Sequence, residues 1–194
     1  MLQEKNGNRV LIAAGKTAGE QFKALLPPGD FSPCLTVPTA GEARRLLVDR
    51  RFDIVIVNTP LPDDFGVQFA IETAEKQGCG VLLLVKAELL EAVEQQVEDS
   101  GVLTLPRPAS RQMFYQSVKL LAATQQRIRA LEAKTATLES KMEEIRLVNR
   151  AKLLLMERMK MSEPEAHRYI EKKAMDTCVK RREIAENIIK TYEN

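Results

Sequence analysis

Hydrophobic positions over the first 120 residues follow two alternating rhythms. Short apolar runs stand at Val10 to Ala13, Ser32 to Val37, Ile54 to Val57, Val81 to Val85 and Val102 to Leu105. Runs of that length with little internal alternation predict strands buried on both faces, as in a parallel sheet. Between them, amphipathic stretches at Ala18 to Leu26, Ala40 to Arg50, Val67 to Gln77 and Ala87 to Glu98, and one starting near Ser110, predict helices. Strands and helices in strict alternation, five of each, predict a doubly wound α/β domain, (βα)5, of flavodoxin-like strand order.

From Phe114 the apolar period lengthens into a heptad. With a set at Leu121, the a positions are Leu121, Ile128, Thr135, Met142 and Asn149, and the d positions are Thr124, Leu131, Leu138, Ile145 and Lys152. Charges at Arg127, Arg129, Glu132, Lys134, Glu139 and Lys141 leave a narrow seam to bury. This favours a coiled coil over a long helix lying on its own domain. A lone Asn149 at a suits a parallel homodimer in fixed register.

The C-terminal region is predicted to be all-α. The coiled coil runs into Leu153, Leu154, Leu155 and Met156 and stops near Met159 to Met161. Ser162, Pro164 and Glu165 then give a helix start. Ala166, Tyr169, Ile170 and Ala174 line one face of this second helix, and Ile184, Ala185, Ile188, Ile189 and Tyr192 one face of a third. The predicted organisation is residues 1–120, a linker helix over 121–145, and a three-helix domain over 146–194. All nine glycines lie at or before Gly101, and only Pro164 of the nine prolines lies beyond Pro108, so little breaks helix in the C-terminal part.

Charge separates along the same line. The chain carries a net +2, yet Arg146 to Arg182 holds 11 basic residues against 5 acidic ones, which points to an anionic partner. The three cysteines, Cys34, Cys79 and Cys178, form neither a disulfide framework nor a CxxC metal knuckle. With no targeting segment and no apolar run of membrane-spanning length, a soluble protein of a reducing cytoplasm is expected, with no membrane partner.

The segment from Arg146 to Ile189 resembles the ANTAR domain of bacterial transcription antitermination regulators. The resemblance is carried by Ala151-Lys152 before the Leu-Leu-Met run, Met161-Ser162-Glu163, Glu165-Ala166, Ala174-Met175, and Ile184-Ala185 before Ile188-Ile189. It implies a dimeric protein whose three-helix module binds RNA, recognising paired hairpin loops in mRNA leaders and so preventing a terminator from folding. The N-terminal part resembles a response-regulator receiver around Asp53 to Gly66, with Pro62 and Gly66 in the family's places. The phosphoacceptor of that family then falls on Asn58, and its acidic pair on Ala14 and Gly15. An amide is neither a carboxylate nucleophile nor a charged magnesium ligand. The switch hydroxyl falls near Val85 or Lys86, and the lysine after the fifth strand on Arg107. The domain thus reads as a pseudo-receiver, controlled by a regulatory protein or a small ligand if it is controlled. The competing reading is an intact receiver with Asp53, Asp63 or Asp64 as acceptor.

No catalytic residue, metal site or cofactor is expected. His167 is the only histidine, and Gly15 and Gly19 belong to no phosphate-loop pattern. The candidate RNA-binding residues are Arg146, Arg150, Lys152, His167, Arg168, Lys172, Lys173, Lys180, Arg181 and Arg182. Lys152 both matches the ANTAR motif and falls on a heptad d position; His167 and Tyr169 could stack on bases, although Tyr169 also fits the buried helix face. Two other functions remain, a protein-interaction adaptor using the coiled coil and terminal helices, and a duplex-DNA-binding response regulator.

Overall fold

The computed structural model describes residues 7–193, and contacts divide the chain into two compact units, one up to Arg129 and one from Ala130. In the first unit the order is β1 (Val10–Ala13), α1 (Lys16–Ala24), β2 (Cys34–Val37), α2 (Ala40–Asp49), β3 (Ile54–Asn58), α3 (Val67–Gln77), β4 (Gly80–Lys86), α4 (Leu90–Val97) and β5 (Val102–Arg107). The five strands are parallel, in the order β2-β1-β3-β4-β5, which is the flavodoxin-like order that the alternation predicts.

Side chains alternate across the sheet because the strand period is two. Leu11, Ala13, Val55, Val57, Leu83 and Val85 face one core with α2, α3 and α4. Val10, Ile12, Ile54, Ile56, Leu82 and Leu84 face the other, built with α1 and the first turns of α5 (Arg111–Met159). Gly19 allows α1 to lie against β2, since a Cβ there would meet Thr36 Cγ2. Gly66 caps α3 at φ 101°, a left-handed conformation glycine takes without strain.

Several boundaries move from the predicted ones. β2 begins at Cys34 rather than Ser32, because Pro33 has no N–H to give a ladder. The Ala87 to Glu98 helix resolves into α4 between two 3₁₀ turns, Ala87–Leu89 and Glu98–Ser100. Leu121, placed first on the coiled-coil seam by the heptad, is buried in the receiver-side core, together with Gln125.

The second unit contains the C-terminal part of α5, then α6 (Glu163–Asp176) and α7 (Arg181–Tyr192). Its core is Ala151 and Leu155 of α5, Ala166, Ile170 and Ala174 of α6, and Ile184, Ala185 and Ile188 of α7. Four of those eight are alanine, so the helices approach closely. A capping box starts α6: the Ser162 hydroxyl and Glu165 carboxylate satisfy opposite ends of the first turn. Two non-glycine residues take left-handed conformations at helix ends, Lys160 (φ 58°) after α5 and Cys178 (φ 54°) after α6. At Cys178 the turn closes with Val179 N–H donating to the Ala174 carbonyl at 3.1 Å. Among the described residues no helix is long and apolar enough to cross a membrane.

Candidate nucleic-acid interface

The ten basic candidates in the second unit separate by what their charges already meet. Arg150 makes a two-pronged ion pair with Glu193, both contacts at 2.6 Å. Lys152, its side chain only 15% exposed, pairs with Glu163 at 2.8 Å. That contact ties the end of α5 to the first turn of α6 and holds the Glu163 carboxyl below its ordinary range. His167 Nε2 stands 3.3 Å from Glu171 on the next turn. Arg181 lies between Glu144 (3.2 Å) and Glu171 (3.6 Å), and Arg182 pairs with Glu186 at 2.8 Å. Arg146, Arg168, Lys172, Lys173 and Lys180 form no ion pair with a carboxylate among the described residues.

Two grooves gather these side chains. One, of about 360 Å³, is bordered by Lys141, Glu144, Asn149, Lys152, His167 and Arg181. Lys152, His167 and Arg181 there face carboxylates and Lys141 forms no ion pair among the described residues, so it presents mixed charge. The other, of about 460 Å³, is bordered by Lys160, Arg168, Lys172, Tyr169, Met159 and Met161, with Glu165 as its acidic member. Glu165 is committed to the capping box, where the Ser162 hydroxyl and N–H keep its carboxyl below the usual range. The second groove therefore has the stronger unbalanced positive charge. Tyr169 is half-buried against the core, and Lys173 Nζ sits 5.4 Å from its ring centroid and 3.2 Å from its hydroxyl. The ammonium therefore lies toward the hydroxyl edge of the ring rather than over its face.

Lys160 and Lys141 were not among the sequence candidates. Lys160 ends α5 with a left-handed backbone (φ 58°), a place that glycine or asparagine ordinarily takes, so no sequence signal marked it. Lys141 carries no sequence signal beyond the heptad flank.

In the first unit, Asn58 ends β3 beside β1 and β4, the place of the receiver acceptor. Its side chain is buried, and Oδ1 has no hydrogen-bond donor among the described residues. Ala14 follows β1 and Gly15 caps α1. The receiver fold implies a magnesium ion here, yet Ala14, Gly15 and Asn58 together offer no carboxylate, and the donor set does not fit one. Arg107, at the end of β5, donates to the Thr59 carbonyl next to Asn58. Burial depresses the pKa of its guanidinium, and Nε is buried without an acceptor.

The three aspartates of the competing reading are engaged elsewhere. Asp53 precedes β3, at the opposite end of the strand from Asn58. It is buried, accepts from Arg9 N–H at 2.6 Å, and pairs with the Arg9 and Arg129 side chains. Asp63 accepts from the N–H groups of Ala40 and Gly41, each at 2.9 Å, and these hold its carboxyl below the ordinary value. Asp64 accepts from Gly66 N–H at 2.8 Å and from Arg44 at 3.0 Å.

The ANTAR domain family model matches residues 136–189. The transcriptional regulatory protein PdtaR of Mycobacterium tuberculosis is 30% identical over 150 residues, which are 77% of this chain and 73% of that protein. Among solved structures, the signal receiver domain of an HD domain-containing protein from Pseudomonas fluorescens superposes with a TM-score of 0.57 at 18% identity, over 64% of this chain and 92% of that one. A CheY-like receiver domain protein from Methanospirillum hungatei gives 0.54 at 17% identity, over 63% and 98%. A sensor histidine kinase receiver from Pseudomonas aeruginosa, whose active-site cleft holds magnesium, gives 0.50 at 18%, over 60% and 98%. These structures establish the fold of the first unit and the relative establishes the whole: the chain belongs to the ANTAR-domain transcriptional regulators that carry a receiver domain ahead of the ANTAR domain.

Proposed function

We propose that this regulator is an RNA-binding transcription antiterminator. As a homodimer it holds paired hairpin loops of an mRNA leader on its ANTAR domains and prevents a terminator from forming. The observation that carries the reading is the groove of Lys160, Arg168 and Lys172, whose cations form no ion pair with a carboxylate among the described residues and lie within the matched domain. Arg146, Lys173 and Lys180 extend the same supply of unpaired charge. Such groups gain from phosphate through counterion release. Arg150, Lys152, Arg181 and Arg182 shape the domain through their ion pairs, with His167 beside Glu171, and reach RNA only by exchanging one partner for another. For the homodimer, support comes from Ile128, Leu131, Leu138, Met142 and Ile145, exposed apolar residues at heptad a and d positions of α5. For control without phosphorylation, support comes from Asn58, Ala14 and Gly15.

A gel-shift titration tests this, with a two-hairpin leader RNA, its single-hairpin halves and an equal length of duplex DNA, at two salt concentrations. Selective binding of the two-hairpin RNA is expected. Lys172→Ala and Arg168→Ala each weaken it and lower the salt slope by about 0.7–0.9 for each phosphate no longer neutralised. Equal, salt-sensitive binding to all three nucleic acids refutes it and favours the protein-interaction adaptor, while preference for the duplex favours a DNA-binding regulator.

A further inference from the structure

From a cation-lined cavity of the receiver unit, we infer that this domain binds a small organic anion, an acidic head group on an apolar body, between the ends of β4 and β5 and the start of α5. The cavity is about 470 Å³, within the range of small-molecule sites. Its walls include Leu84 and Phe114, both buried, and Phe22 of α1 and Leu25 just after it, both half-buried. Phe22 and Phe114 stack with ring centroids 5.0 Å apart and form a continuous apolar surface.

Three cations share this rim: Lys86, Arg107 and Arg111. Lys86 and Arg107 are register partners on neighbouring strands. No carboxylate lines the cavity, and none of the three forms an ion pair among the described residues. Arg9 and Arg129 of this unit pair with Asp53, and Arg44 with Asp64 and Glu72, whereas Arg45, Arg50, Arg51 and Arg127 form no ion pair among the described residues; what distinguishes Lys86, Arg107 and Arg111 is that they share one rim over an apolar wall. Cations on one rim without counterions, of which Arg107 is half-buried and Lys86 and Arg111 are exposed, attract an anion, because the ligand supplies the missing charge and strong charge-assisted hydrogen bonds. An inorganic anion would leave the apolar wall bare, and a neutral apolar molecule would leave the cations unmatched. Matching both requires the two parts in one molecule.

The site also has a route to regulation. Arg107 donates to the Thr59 carbonyl, in the loop that follows Asn58. An anion competing for that guanidinium changes how the β3–α3 loop is held. The regulatory role rests on the proposal of control without phosphorylation; the binding itself does not, and it is independent of RNA.

The test is a titration of the ¹⁵N-labelled full chain, without RNA, followed by amide chemical shifts. The probes are phenyl phosphate, inorganic phosphate and benzyl alcohol. Phenyl phosphate is expected to give saturable shifts centred on Phe22, Arg107, Arg111 and Phe114, with either part alone at least about tenfold weaker. Lys86→Ala and Arg111→Ala, both at exposed positions, should each weaken it by about tenfold while the remaining spectrum stays folded. Shifts centred instead on Arg168 and Lys172 would mean a generic basic surface and overturn the inference. So would no saturation in the millimolar range, or affinity unchanged in the two variants. Failure here leaves the RNA reading standing, and failure of selective RNA binding leaves this site standing.

Discussion

Replacing Ile170 with alanine should selectively destabilise the ANTAR domain. Ile170 is fully buried in the middle of α6, against α5 and α7, in a core of only eight buried residues, four of them alanine. Three carbons leave the interior, a transfer loss of about 2.4 kcal/mol at ~0.8 kcal/mol per buried methylene. A remaining cavity of roughly 60 Å³ adds about 1.5 kcal/mol at ~24 cal/mol per Å³. Leu147, Met156 and Met161 pack against this core, and any movement of theirs into the gap lowers the cavity term, so about 4 kcal/mol is the upper end of the cost. A unit running from Ala130 to Asn194 has a stability of about 3–10 kcal/mol on the usual per-residue scale, so about 4 kcal/mol is a large part of it. Hydrogen exchange with mass spectrometry reads the two units separately. Amides of α6 and α7 should lose protection by about a thousandfold, those of β1, β3 and β4 should not, and RNA affinity should fall with the population folded. Leu153→Ala, at a position 58% exposed on α5, is the matched control and should change protection by less than about threefold. A cost below about 1 kcal/mol for Ile170→Ala, or equal loss in the receiver strands, would refute the assignment of Ile170 to a small, separate core.

Two further outcomes follow from the caps and the thiols. Ser162→Ala should destabilise the ANTAR domain by about 1 kcal/mol at neutral pH. Because Glu165 is held below its ordinary pKa of 4.5 by the Ser162 hydroxyl and N–H, its contribution is complete above that value and fades as pH falls through the lower folded one. Denaturation at pH 7 and pH 3 should therefore show the Ser162→Ala deficit shrinking in acid, and a deficit that grows there would be the wrong sign. With a thiol reagent at pH 8, exposed Cys178 should react first and half-buried Cys34, its thiol pushed up by burial, more slowly. Cys79, buried with its pKa pushed up to about 11, should react only as the receiver unit unfolds. Native labelling of Cys79 at the rate of Cys178 would contradict its placement.

The alternation of sheet and helix was legible because each strand is buried on both faces and therefore appears as an apolar run. The heptad was less decisive. Leu121 and Gln125 have the same spacing whether the helix packs on a sheet or on another helix, so periodicity could not show that this part of α5 closes the receiver core. In the ANTAR domain, Ser162, Pro164 and Glu165 marked the start of α6 because capping is local chemistry. Which cations keep unbalanced charge was not legible: Arg150 meets Glu193, 43 positions away, and Arg181 meets Glu144. Such pairings exist only after folding, whereas composition counts every arginine alike. Asn58 was readable as a missing carboxylate. Its consequence for Arg107 needed the geometry, since Thr59 takes the guanidinium in place of a charged partner.

That substitution gives Asn58→Asp an unusual expected result. In a chain with Ala14 and Gly15 after β1, the new carboxylate still lacks the acidic pair that would hold magnesium, so acetyl phosphate and magnesium should leave the protein unmodified by intact mass. The carboxylate would instead stand next to Thr59, whose carbonyl already receives Arg107. A charge in this partly desolvated place interacts with the guanidinium by ~1.4 kcal/mol or more, enough to weaken anion binding at the Lys86, Arg107 and Arg111 cavity by about tenfold. Asn58→Leu, which removes the amide without adding charge, should leave that affinity within about threefold. If Asn58→Asp acquires a stable phosphoryl group, the acidic pair is not required for phosphorylation of this domain. If it leaves phenyl phosphate affinity unchanged, Arg107 does not couple the acceptor position to the cavity. Loss of affinity in the aspartate variant alone would show that the asparagine does more than block phosphorylation: it leaves Arg107 available to a charge that the protein itself does not supply.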